Sequence, residues 1–364
     1  MSRVYYNLDL IYKINASFNI IFGERSNGKS YQLKHKRAVE NYLKTGNRFI
    51  LLRRFLEEIS NDKIERYFAD VDVAKLTNNK YNVLTCYRKE IYLSKYDFEK
   101  AKTIRGEKIG YAVALSTEQN YAGSSYLDVT DIIFEEFMSR SVYLPNEPTK
   151  LMNFYCTVDR KRGTTKLWLC GNSISRICPY IEEWGLRDIF RTIKQGEIKT
   201  IDIATGEYID EILEYVKIAI EYCRSSGSSS HTIGYNAKMM NSGEWESSPQ
   251  PHLPKSLKEY NILYKIGFQF SGFKFLGLYL KNKNNNEYCW FIHDYNKEFK
   301  DNILVVSDQV KESKKWITNI YNIPFATLKF QNFINESFRE CSIFYSTDLC
   351  GTDFKQAINF EIKR

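Results

Sequence analysis

Eight residues, Gly23-Glu24-Arg25-Ser26-Asn27-Gly28-Lys29-Ser30, fit the pattern G-x-x-x-x-G-K-[ST], and their flanks constrain this chain more than any other stretch. Upstream, Phe18-Asn19-Ile20-Ile21-Phe22 is short, apolar and β-prone. Downstream, Ser30 to Thr45 reads as a helix with Leu33, Val39, Tyr42 and Leu43 inward, closed by Gly46. Strand, glycine loop, helix is the order a phosphate-binding loop requires. Glycine lets the backbone turn tightly enough for successive N–H groups to face phosphate oxygens, and the helix N-terminus adds partial positive charge. In this reading Gly23, Glu24, Arg25, Ser26, Asn27, Gly28, Lys29 and Ser30 bind ATP. Lys29 reaches the β- and γ-phosphates, and the Ser30 hydroxyl ligates Mg²⁺. A glycine-containing surface turn is the competing reading, and it leaves the flanking strand and helix unexplained.

A chain of 364 residues is too long for one ordinary core and suits two domains with a connector. Residues 1–196 alternate short β-rich runs with amphipathic segments, the pattern of an α/β nucleotide domain. Expected strands include 18–22, 48–53, 109–115 and 166–170, with helices from Glu57 to Ala69 and from Thr149 to Arg162. Between 197 and 256 we expect a small linker domain. Ile209, Ile212, Leu213, Val216 and Ile220 lie at helical spacing there, and a Ser-Gly run and three prolines follow. Residues 257–364 read as a second domain that opens with three antiparallel strands, turns at Asn284-Asn285-Asn286, and carries a helix around Lys314 to Tyr321.

The formal charge of +8 points weakly to an anionic partner. Eight cysteines form no C-x-x-C, and the four histidines lie far from any metal-like cysteine spacing, so free thiols in a reducing compartment are expected. No apolar run approaches membrane-spanning length, which predicts a soluble intracellular protein with no membrane partner.

A second constellation is Val129-Thr130-Asp131-Ile132-Ile133-Phe134-Glu135-Glu136-Phe137, an apolar strand ending in two carboxylates. Beside a phosphate-binding loop, the first acid holds Mg²⁺ and the second polarises the attacking water, which assigns Glu135 to the metal and Glu136 to the catalytic base. Paired surface acids after a strand are the bland alternative. Asn172 ends another β-prone run and either senses the γ-phosphate or starts a turn with Gly171 and Ser173. Arg160-Lys161-Arg162 either complement a helix dipole or supply an arginine finger. Arg25, Arg53 and Arg54 are further phosphate-proximal candidates, with plain surface charge as the alternative for the last two.

Three blocks resemble the DNA-packaging (encapsidation) ATPases of small short-tailed phages whose motor sits on a packaging-RNA scaffold. They are Gly23 to Tyr31, Ile132 to Phe137, and Thr157-Val158-Asp159-Arg160-Lys161-Arg162 continuing through Gly171-Asn172-Ser173-Ile174-Ser175 to Pro179-Tyr180. Phe49 to Arg54 and Pro145-Asn146-Glu147 also look like the family, and the similarity covers most of residues 15–185. The resemblance implies an ASCE-type ATPase forming a homopentameric ring that moves double-stranded DNA into a procapsid. Such a motor works in the infected host's cytoplasm, at the portal vertex and its packaging RNA. It promotes Arg160 to a trans-acting finger, while Glu135 departs from the family's usual Asp. It also implies an RNase H-like second domain. The run Tyr264 to Gln269 lacks the acid a nuclease needs in its first strand, and Asp294 and Asp308 are too few, so the domain reads as a vestigial nuclease. Lys265, Lys274, Lys281 and Lys283 would then contact phosphates. The alternatives are a terminase-like motor with an active nuclease, a P-loop kinase or other NTPase, and a nucleotide-gated scaffold. No N-K-x-D guanine-reading motif supports a GTPase.

Overall fold

The computed structural model describes residues 5–121, 123–139, 143–209, 212–226, 242–270, 273–300, 303–307, 316–317, 333 and 336–362. Its first sheet has nine strands: β1 (Phe18–Gly23), β2 (Arg48–Arg53), β3 (Val83–Tyr87), β4 (Glu90–Asp97), β5 (Lys102–Ala114), β6 (Val129–Glu135), β7 (Lys166–Asn172), β8 (Ile198–Ile209) and β9 (Ile212–Tyr222). They lie in the order β3-β4-β5-β2-β6-β7-β1-β9-β8. From β5 to β9 the neighbours are parallel, and antiparallel pairs close both edges.

The central strands are apolar on both faces, as burial between two layers demands. In β1, Phe18, Ile20 and Phe22 enter one core, and Ile21 enters the other. In β7, Leu167 and Leu169 alternate in the same way with Trp168 and Cys170. β7 lies between the strand that leads into the glycine loop and the strand that carries the paired acids.

A short helix, α1 (Asp9–Lys13), precedes β1, and after the loop the chain is helical from Lys29 through Thr45, with α2 (Lys29–Gln32), a wider i→i+5 segment (Leu33–Glu40) and α3 (Asn41–Thr45). Gly46 ends it at φ +75, as expected of a glycine past a helix. Leu33 and Val39 are buried, but Leu43 is exposed, so the inward stripe is narrower than its spacing predicts. The expected helix at 57–69 is a short turn followed by α4 (Asn61–Phe68), and the expected helix at 149–162 is α5 (Glu147–Asp159).

The expected helix around 209–220 is a strand. β9 pairs antiparallel with β8 and runs parallel to β1, so 198–209 and 212–222 extend the first sheet instead of forming a helical linker. Val216 and Ile220 satisfy a helical spacing, but with Ile218 and Tyr222 they also alternate at the strand period. β-branched side chains and pairing to β1 decide for the strand. The Ser-Gly run at 227–230 lies outside the described residues.

The second domain holds β10 (Tyr260–Phe270), β11 (Phe273–Asn282), β12 (Tyr288–Asp294), β13 (Leu304–Ser307), β14 (Trp316–Ile317) and β15 (Ser342–Tyr345), in the order β14-β13-β10-β11-β12-β15. β10, β11 and β12 form the expected antiparallel meander, and β13 and β14 run parallel to β10. The helix expected at 314–321 is corrected at Trp316–Ile317, which pair with Val305 and Val306 as strand; the rest of that segment and Asp308 lie outside the described residues. A final helix, α6 (Asp348–Ile362), packs on the sheet.

Residues 242–252 strap the two domains together. Ser173 Oγ donates to the carbonyl oxygens of Gly243 (2.7 Å) and Glu244 (3.1 Å), and Trp245 stacks on Phe22 at 5.1 Å. Further on, Ser248 N donates to Thr352 Oγ1 (2.9 Å) and Gln250 N to Asp348 Oδ1 (2.9 Å), both on α6.

Candidate nucleotide site

The glycine loop folds over itself. Gly23 leaves β1 at φ +152, where an added Cβ would meet the Cys223 side chain at 3.1 Å, and Gly28 opens the helix at φ +99. The Lys29 ammonium is buried and curled into the loop, donating to the Glu24 carbonyl oxygen and, at 3.1 Å, to Asn27 Oδ1. Across from it, Ser30 Oγ donates to Glu135 Oε2 at 3.0 Å. Helix start and acid strand thus meet through the two residues expected to share a metal.

A cavity of about 700 Å³ opens beside this contact, lined by Ser26 to Ser30, Glu135, Glu136 and Asn172, with Tyr5 and Tyr31 among its other walls. Asn172 ends β7 directly beside Gly23 and also begins a turn, its carbonyl oxygen accepting from Ile174 N at 2.8 Å. Asn172 thus starts the expected turn while also lining the cavity. Gly23, Glu24 and Arg25 do not line the cavity among the described residues. The buried Glu24 carboxylate turns the other way and accepts from Ser226 N (2.7 Å), Ser226 Oγ (2.9 Å) and Ser225 Oγ (2.7 Å), so its side chain anchors the segment after β9.

Glu135 is 5% exposed, and burial pushes its carboxyl above the usual range. Hydrogen bonds from Tyr67 (2.6 Å) and Ser30, with the charges of Arg53 and Lys34, oppose that shift. No motif marks Tyr67; it reaches Glu135 from α4 through tertiary packing alone. Glu136 follows in the left-handed region at φ +59, and its carboxylate faces solvent, paired with Arg53 at 3.0 Å.

Arg54 is neither surface charge nor phosphate-proximal. It is buried, bonded through Nε to both oxygens of Glu147 (3.0 and 2.8 Å).

The arginines after α5 separate cleanly. Arg162 donates to the carbonyl oxygens of Asp159 (2.9 Å), Val158 (2.9 Å) and Val129 (3.0 Å), fastening the turn to its own domain. Arg160 caps α5 at φ +49 and is held by Ser124 O (2.8 Å) and Gly123 O (3.3 Å) at an exposed position; it does not line this chain's cavity. In the second domain, Lys274 pairs with Glu298 and Lys283 donates to Lys258 O at 2.7 Å, so both make contacts on their own surface.

The glycine loop thus sits between a buried strand and a helix of a mixed α/β fold, with one strand separating it from the acid-bearing strand. The chain belongs to the podovirus DNA encapsidation protein (Gp16) family, whose profile matches residues 1–331. It is 33% identical over 171 residues to the DNA packaging protein of Bacillus phage B103, covering 46% of this chain and 48% of that protein. To the DNA packaging protein of Bacillus phage phi29 it is 28% identical over 180 residues, 49% of each chain. The matches span about half the length of these curated relatives. Its fold resembles a chain of the bacteriophage Phi-29 viral genome packaging motor assembly, at a TM-score of 0.55 and 21% identity, over 99% of this chain and 98% of that one.

Proposed function

We propose that this chain is the ATP-hydrolysing subunit of a viral DNA-packaging motor. It would drive double-stranded DNA through a portal into a procapsid from a homo-oligomeric ring, a pentamer associated with packaging RNA. The observation that carries this reading is the meeting of Lys29, the Ser30–Glu135 pair and Glu136 around one cavity, in a chain of the Gp16 family.

On this reading the β- and γ-phosphates replace Glu24 O and Asn27 as partners of Lys29. Hydroxyl and carboxylate oxygens 3.0 Å apart are the hard donors that suit Mg²⁺. Ser30 and Glu135 would hold the ion, which supplies charge neutralisation at the phosphates. Glu136 takes a proton from the attacking water, Asn172 orients that water from the intervening strand, and Arg160 reaches the nucleotide of a neighbouring subunit.

For the second domain we favour the RNase H-like reading, supported by its strand order. The centre of β10 offers Ile266, Gly267, Phe268 and Gln269 where a nuclease needs an acid, so the domain would bind nucleic acid or motor partners without cutting.

The test is packaging itself. With ATP, Mg²⁺ and procapsids carrying portal and packaging RNA, the wild-type chain should render DNA resistant to added nuclease, and Lys29→Ala should not. Hydrolysis without protection would sink the packaging reading and leave an ATPase of other purpose. Nicking of supercoiled plasmid in Mn²⁺, abolished by Asp294→Ala, would restore an active nuclease.

A further inference from the structure

Glu136 occupies a conformation that favours glycine, and the turn it begins is built to keep it there. With φ at +59, its Cβ crowds the following carbonyl. The main-chain oxygens of Glu136 and Phe137 both accept from one guanidinium, Arg54 Nη1 at 3.1 Å and Nη2 at 2.7 Å. From the other side, Phe137 N donates to Cys170 O at 3.3 Å. Glu147 orients the guanidinium through Nε and is itself fixed by Tyr180 OH (2.7 Å) and Leu144 N (2.7 Å). The Arg54 and Glu147 side chains are 6% and 0% exposed, whereas the Glu136 side chain is 64% exposed.

Burying an ion pair is weak support for stability, because desolvation offsets the attraction and apolar residues of similar volume often serve as well. What apolar residues cannot supply is a rigid fork of donors aimed at two consecutive carbonyls. We propose that Arg54 is a positioning residue for the Glu136 carboxylate, with Glu147 as its orienter. The pair pins the main chain at Glu136 while the carboxylate above it stays free to leave Arg53 and meet water. Glu147 is also the first residue of α5, whose other end is capped by Arg160, so the turn carrying the base and the helix leading to the finger share one anchor. This inference rests on the reading of Glu136 as base.

The test uses the full-length chain. Arg54→Ala alone strands a buried carboxylate and is expected to unfold it, so the informative variants are the apolar pair Arg54→Met/Glu147→Leu and the single Arg54→Lys, which keeps the charge and loses the fork. Both should stay folded at the assay temperature, the double variant melting somewhat lower because Tyr180 OH loses its acceptor, and both should bind a fluorescent ATP analogue normally, with KM unchanged and kcat lowered about 10²-fold, the penalty of slight misplacement. Combined with Glu136→Gln, the Arg54 and Glu147 substitutions should add almost no further loss. Wild-type kcat in a folded Arg54→Met/Glu147→Leu chain would overturn the proposal, as would losses that multiply in the Glu136→Gln background. Wild-type turnover in Glu136→Gln alone would instead remove the base assignment, and the proposal with it.

Discussion

Arg53 Nη2 lies 3.0 Å from Glu136 Oε2 and also holds Glu58 at 2.9 Å, so the exposed carboxylate is tethered to the end of the neighbouring strand β2. The Glu136 side chain is 64% exposed and that of Arg53 17%, and Arg53 keeps Glu58 as a second partner, so water can take over the Glu136 end of the pair. Glu136→Gln preserves shape and removes proton affinity. It should bind nucleotide normally and lose about 10²-fold to 10⁴-fold in turnover, as general-base removal does. Hydrolysis and nucleotide-binding assays on one preparation check this.

Arg160 and Arg162 should separate function from folding. Arg162→Ala removes donors from several carbonyls and should lower the melting temperature, whereas Arg160→Ala, losing two exposed contacts, should melt as the wild type does. Mixing Arg160→Ala subunits with Lys29→Ala subunits should recover part of the hydrolysis, since each supplies what the other lacks. No recovery in mixtures shown to co-assemble would mean that Arg160 works in cis or only caps its helix.

Glu221 sits in β9 under the N-terminal segment, 7% exposed, and accepts from Tyr6 OH at 2.8 Å. Burial lifts its carboxyl from 4.5 to about 7 against that hydrogen bond. Between those values the folded chain keeps a proton the unfolded chain has lost. The resulting stability is complete below pH 4.5 and is lost as pH rises through 7. The full amount is on the order of 3 kcal/mol. Glu221→Gln should therefore melt higher than the wild type at pH 8, by about 2–4 °C per kcal/mol, and nearly with it at pH 5. A pH-independent difference would refute the assignment.

Arg176, four residues past Asn172, pairs with Asp353 of α6, whose side chain is 1% exposed. Burial raises the Asp353 carboxyl to about 6 while Arg176 pulls it down. Arg176→Ala leaves a buried carboxylate alone and should cost about 3–5 kcal/mol in denaturant unfolding at pH 8. The loss should shrink at pH 5, where Asp353 takes up a proton. An equal loss at both values would show that the charge is not what matters.

What was legible in the chain was local. The glycine loop and the strand ending in Glu135-Glu136 carry their geometry in contiguous residues, and Ser30 and Glu135 meet as their motifs demand. The sequence of β9 is ambiguous because Val216 and Ile220 fit two periods, and only the neighbouring β1 breaks the tie. Tyr67 and the Arg54–Glu147 pair join residues 68 and 93 positions apart, distances at which no spacing rule speaks. Asp353 carries no motif of its own: it lies within α6, and only packing brings it to Arg176.

The strap at 242–252 changes what a connector can mean in this chain. Flexible composition suggests two beads on a string, with the second domain wandering over a cone of orientations. A chain that instead stacks Trp245 on Phe22, one residue before the glycine loop, and then hydrogen-bonds along α6 gives the second domain a single address. A shift of the loop at Gly23 would therefore be felt first by that indole and then by the residues bonded to α6 beyond it.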